Sequence, residues 1–254
     1  MRKTIILPTP QLSYYKEVNV DLDMKGDHYI ELAESKGRIP EEVALSITRS
    51  LMEEDANKLT LTDLKYIFTL IKINSLENNY TANVTCTLLK KDKKICGHVN
   101  KFDIRLSDSD LNATPADYKV PEIDFIIGET EKTYKILPPF CNIEIGLYDY
   151  FITEKNVSID QIINDTKTAT EFALMRAVCH LVDKEGNRVI DDFSKFETAL
   201  DMIKLNKFSR VTDLLAKVKE VDSFGVQSKQ YTIKCEECGG TLNFRLPFLH
   251  GLTS

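Results

Sequence analysis

No apolar run in this 254-residue sequence approaches the roughly 20 residues needed to cross a bilayer, so no membrane span is expected. The sequence has no glycine-rich phosphate loop, no nucleophile elbow and no His-Glu-x-x-His pair. It also lacks an excess of positive charge: 33 Lys and Arg face 39 Asp and Glu, for a formal net charge of −6. That balance gives no overall attraction to nucleic acid or to an anionic membrane. The opening offers only Ile5, Ile6 and Leu7 between Arg2-Lys3 and Pro8, too short for the apolar core of a signal peptide, and a cytosolic setting is expected. The absence of tryptophan decides nothing. What remains is an ordinary globular composition, 43% hydrophobic and 28% charged. Six cysteines without export point to thiols or metal ligands rather than a disulfide framework.

The most informative stretch is Gln230 to Phe248, where two extended segments flank Cys235-x-x-Cys238-Gly239. Glycine after the second cysteine permits the left-handed turn that lets backbone amides close over two thiolates. The pattern has a counterpart. Cys96-Gly97 is followed by Phe102, Ile104 and Leu106, and Cys238-Gly239 by Phe244, Leu246 and Phe248, at the same offsets. Thr62-Asp63-Leu64 and Thr212-Asp213-Leu214 precede the two cysteine pairs at nearly the same distance, and each is read as a helix start. A duplicated unit follows from these matches.

Taken in order, residues 1 to 39 read as strands and turns. A helix is expected from about Pro40 to Glu54, with Pro40 at its first position and Val43, Ile47 and Leu51 on one face. A second begins near Thr62, taken as its N-cap, with Leu64, Ile67, Phe68 and Ile71 as its stripe. Strands at 80–86 and 96–106 flank a charged loop at Lys90 to Lys94. A polar linker leads to a strand pair through Ile123 to Ile127 and Tyr134 to Leu137. Helical patterns then run from Ser158 through Leu181, from a Ser194/Glu197 capping box, and from Thr212 to a stop at Gly225. The reading is an α+β fold of two related halves, residues 1–118 and 119–254. Each is a helical pair plus an antiparallel β-hairpin carrying a cysteine pair, with extra strands at the N-terminus and in the middle.

If the hairpins pair, Cys86, Cys96, Cys235 and Cys238 supply four thiolates for one structural zinc. The nine residues between Cys86 and Cys96 must then loop out. His98 is an alternative ligand to Cys86, and a third alternative is that the thiols only pack. Cys179-His180 is read as part of an apolar helix, since adjacent helical residues diverge by about 100° and do not form a nucleophile and base. Cys141 is read as a core residue and the lysine cluster as a solvated loop. Beyond the last strand, Leu246, Phe248, Leu249 and Leu252 form an apolar tail that either folds back or binds a partner.

The segment Leu61 to Leu76, followed by Cys86, by Cys96-Gly97-His98-Val99-Asn100 and by Phe102 to Leu106, resembles the baseplate hub and hub-assembly proteins of T-even-like contractile-tailed bacteriophages. The strand pair from Glu122 to Pro139 and the C-terminal knuckle with its aromatic tail are similar to that family as well. The resemblance implies a non-enzymatic structural or assembly protein of the tail baseplate, made in the host cytoplasm. Its partners would be other hub, wedge or tape-measure proteins in a multi-subunit assembly, with no nucleic acid and no membrane. It supplies no catalytic residue. Two other readings stay open: a cytosolic zinc-ribbon regulator that binds nucleic acid, and a thiol enzyme using Cys235 and Cys238.

Overall fold

The computed structural model describes residues 2–35, 38–75, 79–90, 93–105, 110–227 and 230–245. Alternation of Val18 and Val20 with polar neighbours builds a two-stranded antiparallel sheet from β1 (Arg2–Ile6) and β2 (Glu17–Asp21), with both valines fully buried. Helix α1 (Gly26–Ala33) follows where the sequence reading had only turns. Helix α2 (Pro40–Leu51) starts on its proline as expected and buries Val43, Ile47 and Leu51.

Helix α3 (Leu61–Ser75) is capped at Thr60, not Thr62. The Asp63 N–H donates to Thr60 Oγ1 at 3.1 Å, and the Asp63 carboxylate accepts from the Thr60 N–H at 3.2 Å. Thr60 Oγ1 and Ser13 Oγ each donate a further hydrogen bond to that carboxylate at 2.8 Å. Asp63 is fully buried, and desolvation raises its pKa despite these donors.

The first hairpin pairs β3 (Asn79–Thr85) with β4 (Val99–Arg105), and the short β5 (Asp110–Asn112) follows. In the middle, β6 (Glu122–Ile127) pairs with β7 (Thr130–Ile136) across Gly128, which has φ +64°. Next comes α4 (Cys141–Thr153), a helix absent from the sequence reading. Its Cys141 and Ile145 belong to the core around α2 and α3, while Ile143, Leu147 and Phe151 belong to the core of the second half. One helix thereby serves two cores. It is apolar on opposite sides and shows no single stripe.

The expected long helix from Ser158 divides at Asp165, which ends α5 (Ile159–Asn164) and caps α6 (Thr166–Cys179) by accepting the Thr168 N–H at 2.9 Å. Leu181–Val182 leaves the helix and becomes β8, paired with β7. The capping box expected at Ser194 is not formed. Asp192 accepts the Ser194 N–H at 2.8 Å and opens a 3₁₀ turn leading into α7 (Phe196–Lys204). Helix α8 (Phe208–Asp222) begins a turn ahead of Thr212, so Thr212-Asp213-Leu214 is not a helix start. Asp213 is exposed and pairs with Lys217 at 2.7 Å, unlike the buried cap residue Asp63.

Strand β9 (Gly225–Gln227) pairs back with β5, and β10 (Gln230–Lys234) with β11 (Thr241–Arg245) forms the second hairpin. The fold is α+β, with helices around short antiparallel strand pairs. A helix pair followed by a cysteine-bearing hairpin occurs in each half. Helix α2 packs on α3, whereas α7 and α8 both pack on α6. The two cores draw mostly on opposite sides of residue 118, with Leu12 in the second and Cys141 and Ile145 in the first.

Candidate metal centre

Both knuckles are built by one hydrogen-bond pattern. In the first, the Gly97 N–H donates to the Cys86 carbonyl at 3.0 Å and the Cys86 N–H to the His98 carbonyl at 2.8 Å. In the second, the Gly239 N–H donates to the Cys235 carbonyl at 2.8 Å and the Cys235 N–H to the Gly240 carbonyl at 2.8 Å. Gly97 and Gly239 have φ of +67° and +69°, the left-handed conformation that the turn demands. The strand registers agree too: Thr85 faces Val99 and Ala82 faces Phe102, as Lys234 faces Thr241 and Tyr231 faces Phe244. Cys86 therefore corresponds to Cys235 and Cys96 to Cys238.

The residues between Cys86 and Cys96 do loop out. The Cys96 N–H donates to the Leu88 carbonyl at 2.8 Å, and Leu89 bridges Ile95, so the chain leaves the knuckle through residues 87–90 and re-enters it through residues 93–95. Lys90, read from sequence as part of a solvated loop, reaches Glu237 of the other knuckle at 3.2 Å.

The four sulfurs come together from residues far apart in the chain. Cys86 Sγ lies 3.7 Å from Cys238 Sγ, and Cys96 Sγ lies 3.8 Å from Cys235 Sγ. All four ligand atoms are within 4.8 Å of one another. A tetrahedral ion with metal–sulfur bonds of about 2.3 Å has sulfur–sulfur edges of roughly 3.8 Å, so this set fits a metal ion. Cys86 takes the fourth position, and His98 turns its Nε2 toward Glu236 at 3.7 Å instead. Backbone amides of Cys238 and Glu237 hold the Cys235 thiol down at about 6, and burial pushes the Cys86 thiol up to about 12. All four sulfurs could be thiolates together only with a cation among them.

Sequence reading missed Asn100. Its side chain is buried, donating to the Val84 carbonyl at 3.2 Å and the His98 carbonyl at 3.4 Å, while its Oδ1 accepts the Glu236 N–H at 2.9 Å. It thus joins one knuckle to the other. The equivalent position in the second hairpin is Leu242, which packs beside Cys86 and Cys235. The two copies differ here, so the internal comparison gave no signal.

The remaining candidates resolve as follows. Cys141 is buried with its Sγ 3.4 Å from the Ala56 carbonyl. Cys179 and His180 point to different partners, the Met175 carbonyl at 3.4 Å and Asp222 Oδ1 at 3.3 Å. His180 belongs to a buried charged group in which Arg176 Nε meets Glu144 at 2.7 Å and the guanidinium also pairs with Asp222. Desolvation opposes ionisation of Asp222, but the His180 and Arg176 contacts outweigh it and hold its carboxyl below the usual range. Leu246, Phe248, Leu249 and Leu252 lie outside the described residues. No helix among the described residues is long and apolar enough to cross a membrane. Compared with protein-family models, with curated proteins and with solved structures, the chain matches none.

Proposed function

We propose that this chain is a non-enzymatic structural or assembly protein whose two halves are tied by one structural zinc on Cys86, Cys96, Cys235 and Cys238. The observation that carries the reading is the pair of knuckles with matching backbone hydrogen bonds, whose four sulfurs lie within 4.8 Å of one another, a spacing a tetrahedral ion can fill. Four protein thiolates fill a tetrahedral shell and leave no position for a substrate, which favours a scaffold over a catalyst.

The setting we propose is the central hub region of a contractile phage tail baseplate, in a host bacterial cytoplasm during assembly. It rests on the resemblance carried by Leu61 to Leu106 and by the second knuckle. The partners would be other hub, wedge or tape-measure proteins, met in part through Leu246, Phe248, Leu249 and Leu252.

Elemental analysis of the purified chain tests the metal: about one zinc per chain is expected, and less than about half an equivalent overturns the four-cysteine site. Tail assembly with the chain deleted tests the setting. Complete, infectious tails without it would remove the baseplate reading. Nucleic-acid binding at low salt that fades as salt rises would favour a zinc-ribbon regulator instead.

A further inference from the structure

The internal symmetry of the cysteine cluster extends to how its sulfurs meet. Cys86 corresponds to Cys235 and Cys96 to Cys238 through the matching knuckle hydrogen bonds and strand registers. Exchanging the two copies therefore turns the Cys86–Cys238 contact of 3.7 Å into the Cys235–Cys96 contact of 3.8 Å. They are one contact made twice. Together they use each of the four sulfurs once, and both run between the hairpins rather than within one. Four cysteines allow three pairings, and only one of them matches both contacts.

The sulfurs also differ in access. Cys86 and Cys235 are buried, Cys96 is half-buried and Cys238 is exposed. Each contact thus sets a sulfur that solvent reaches against one that it does not, which is the arrangement of an oxidised cysteine beside its resolving partner. An S–S bond of about 2.05 Å asks each contact to shorten by roughly 1.7 Å, a movement of side chains held in two turns. Cys141 and Cys179 differ on both counts: each is buried in a core with its sulfur 3.4 Å from a backbone carbonyl.

We propose that the centre is a redox-sensitive tie. A hydroperoxide oxidises Cys238 and Cys96, the buried Cys86 and Cys235 resolve them, and two disulfides between the hairpins then join the halves in the metal's place. As a thiolate, the Cys238 sulfur attacks one oxygen of hydrogen peroxide; the O–O bond breaks, hydroxide leaves and Cys238 becomes a sulfenic acid. The Cys86 thiolate attacks that sulfur, the S–O bond breaks, a second hydroxide leaves and the S–S bond forms. One peroxide takes two electrons from the pair. Cys96 and Cys235 react in the same way with a second peroxide. A metal is held by thiolates, so the doubly oxidised centre has no ligand left for one. Metal release rests on the proposed zinc site, whereas the disulfides do not.

Titration of the full purified chain with hydrogen peroxide, followed by alkylation and non-reducing peptide mass spectrometry, tests the tie. About two equivalents are expected to remove four of the six thiols. The linked peptides should be Cys86–Cys238 and Cys96–Cys235, zinc should pass to a chromogenic chelator, and Cys141 and Cys179 should remain alkylatable. The oxidised, metal-free chain should melt at a higher temperature than the reduced, metal-free chain, and dithiothreitol should reverse the difference. Cys86→Ser should leave a sulfenic acid on Cys238 that dimedone traps, while the Cys96–Cys235 link still forms; circular dichroism confirms that this variant is folded. Dominant links within a knuckle, Cys235–Cys238 or Cys86–Cys96, overturn the proposal. Sulfinic or sulfonic acids without cross-links overturn it too, as do thiols that survive excess peroxide. A chain that forms both links but carries less than about half an equivalent of zinc beforehand loses the metal reading alone. A zinc-loaded chain that forms neither link loses the tie alone.

Discussion

Asn100 in the first hairpin accepts the backbone N–H of Glu236 in the second knuckle at 2.9 Å, across 136 residues of chain. The same side chain donates to the Val84 and His98 carbonyls of its own hairpin. With the Lys90–Glu237 ion pair, it is a polar link between the two sulfur-lined knuckles.

Asn100→Leu, which installs the residue type of the equivalent position, is expected to leave the Glu236 N–H without its acceptor, whereas the His98 carbonyl keeps the Cys86 N–H. The cost is about 1–3 kcal/mol. Metal affinity should fall by roughly 10- to 100-fold, as for loss of other groups that orient ligands. Competition against a chromogenic chelator reads the affinity and thermal melting reads the stability.

Each of Cys86→Ser, Cys96→Ser, Cys235→Ser and Cys238→Ser should reduce bound zinc from about one equivalent to below half. Cys141→Ser and Cys179→Ser should leave it unchanged, since their sulfurs contact backbone carbonyls elsewhere in the cores. Elemental analysis of all six variants separates the two groups. Chelation of the wild type should lower its melting temperature and expose thiols to a colorimetric reagent.

Gly97 and Gly239 meet no atom within 4 Å of an added Cβ, so alanine there acts through φ alone. Each substitution is expected to cost about 1–2 kcal/mol, and the two costs should be nearly equal. Urea denaturation measures both. A large difference would mean that the knuckles are not equivalent.

The ion pairs of Asp222 make stability pH-dependent in a defined window. Its folded pKa lies below the unfolded value, so its contribution is fully present above about pH 4 and is lost as pH falls through the folded pKa. Wild-type stability should therefore drop below about pH 4 with a slope that Asp222→Asn removes. At neutral pH that variant should already be weaker, because Arg176 loses half of its carboxylate pairing.

The cysteine hairpins were legible because their chemistry is local. A left-handed glycine after the second cysteine and alternating apolar residues beyond it specify a knuckle without help from the rest of the chain. Pro40 likewise marked α2, and Val43, Ile47 and Leu51 its buried face. Helix α4 was not legible, since Cys141 and Ile145 face one core and Ile143, Leu147 and Phe151 the other, which erases the periodic stripe. Glu144, which pairs with Arg176, was hidden with it. Leu181 and Val182 continue a helical pattern in sequence, yet β7 offers them a sheet edge, and that pairing decides. The cap at Thr60 was displaced in the reading to Thr62 because aspartate, not glutamate, answers the threonine three residues on.

The wide separation of the paired sulfurs also sets a schedule for synthesis. Cys96 and Cys235 are 139 residues apart, so at about 5–20 residues per second the ribosome delivers the second knuckle roughly ten seconds after the first. Through that interval the first knuckle holds two of the four thiols, and on the proposed zinc site the nascent chain would compete for the metal with only half a shell. On that reading metal capture would be a late event in the birth of the molecule, and zinc scarcity should leave an N-terminal half that is folded around α2 and α3 beside a C-terminus still open to proteases.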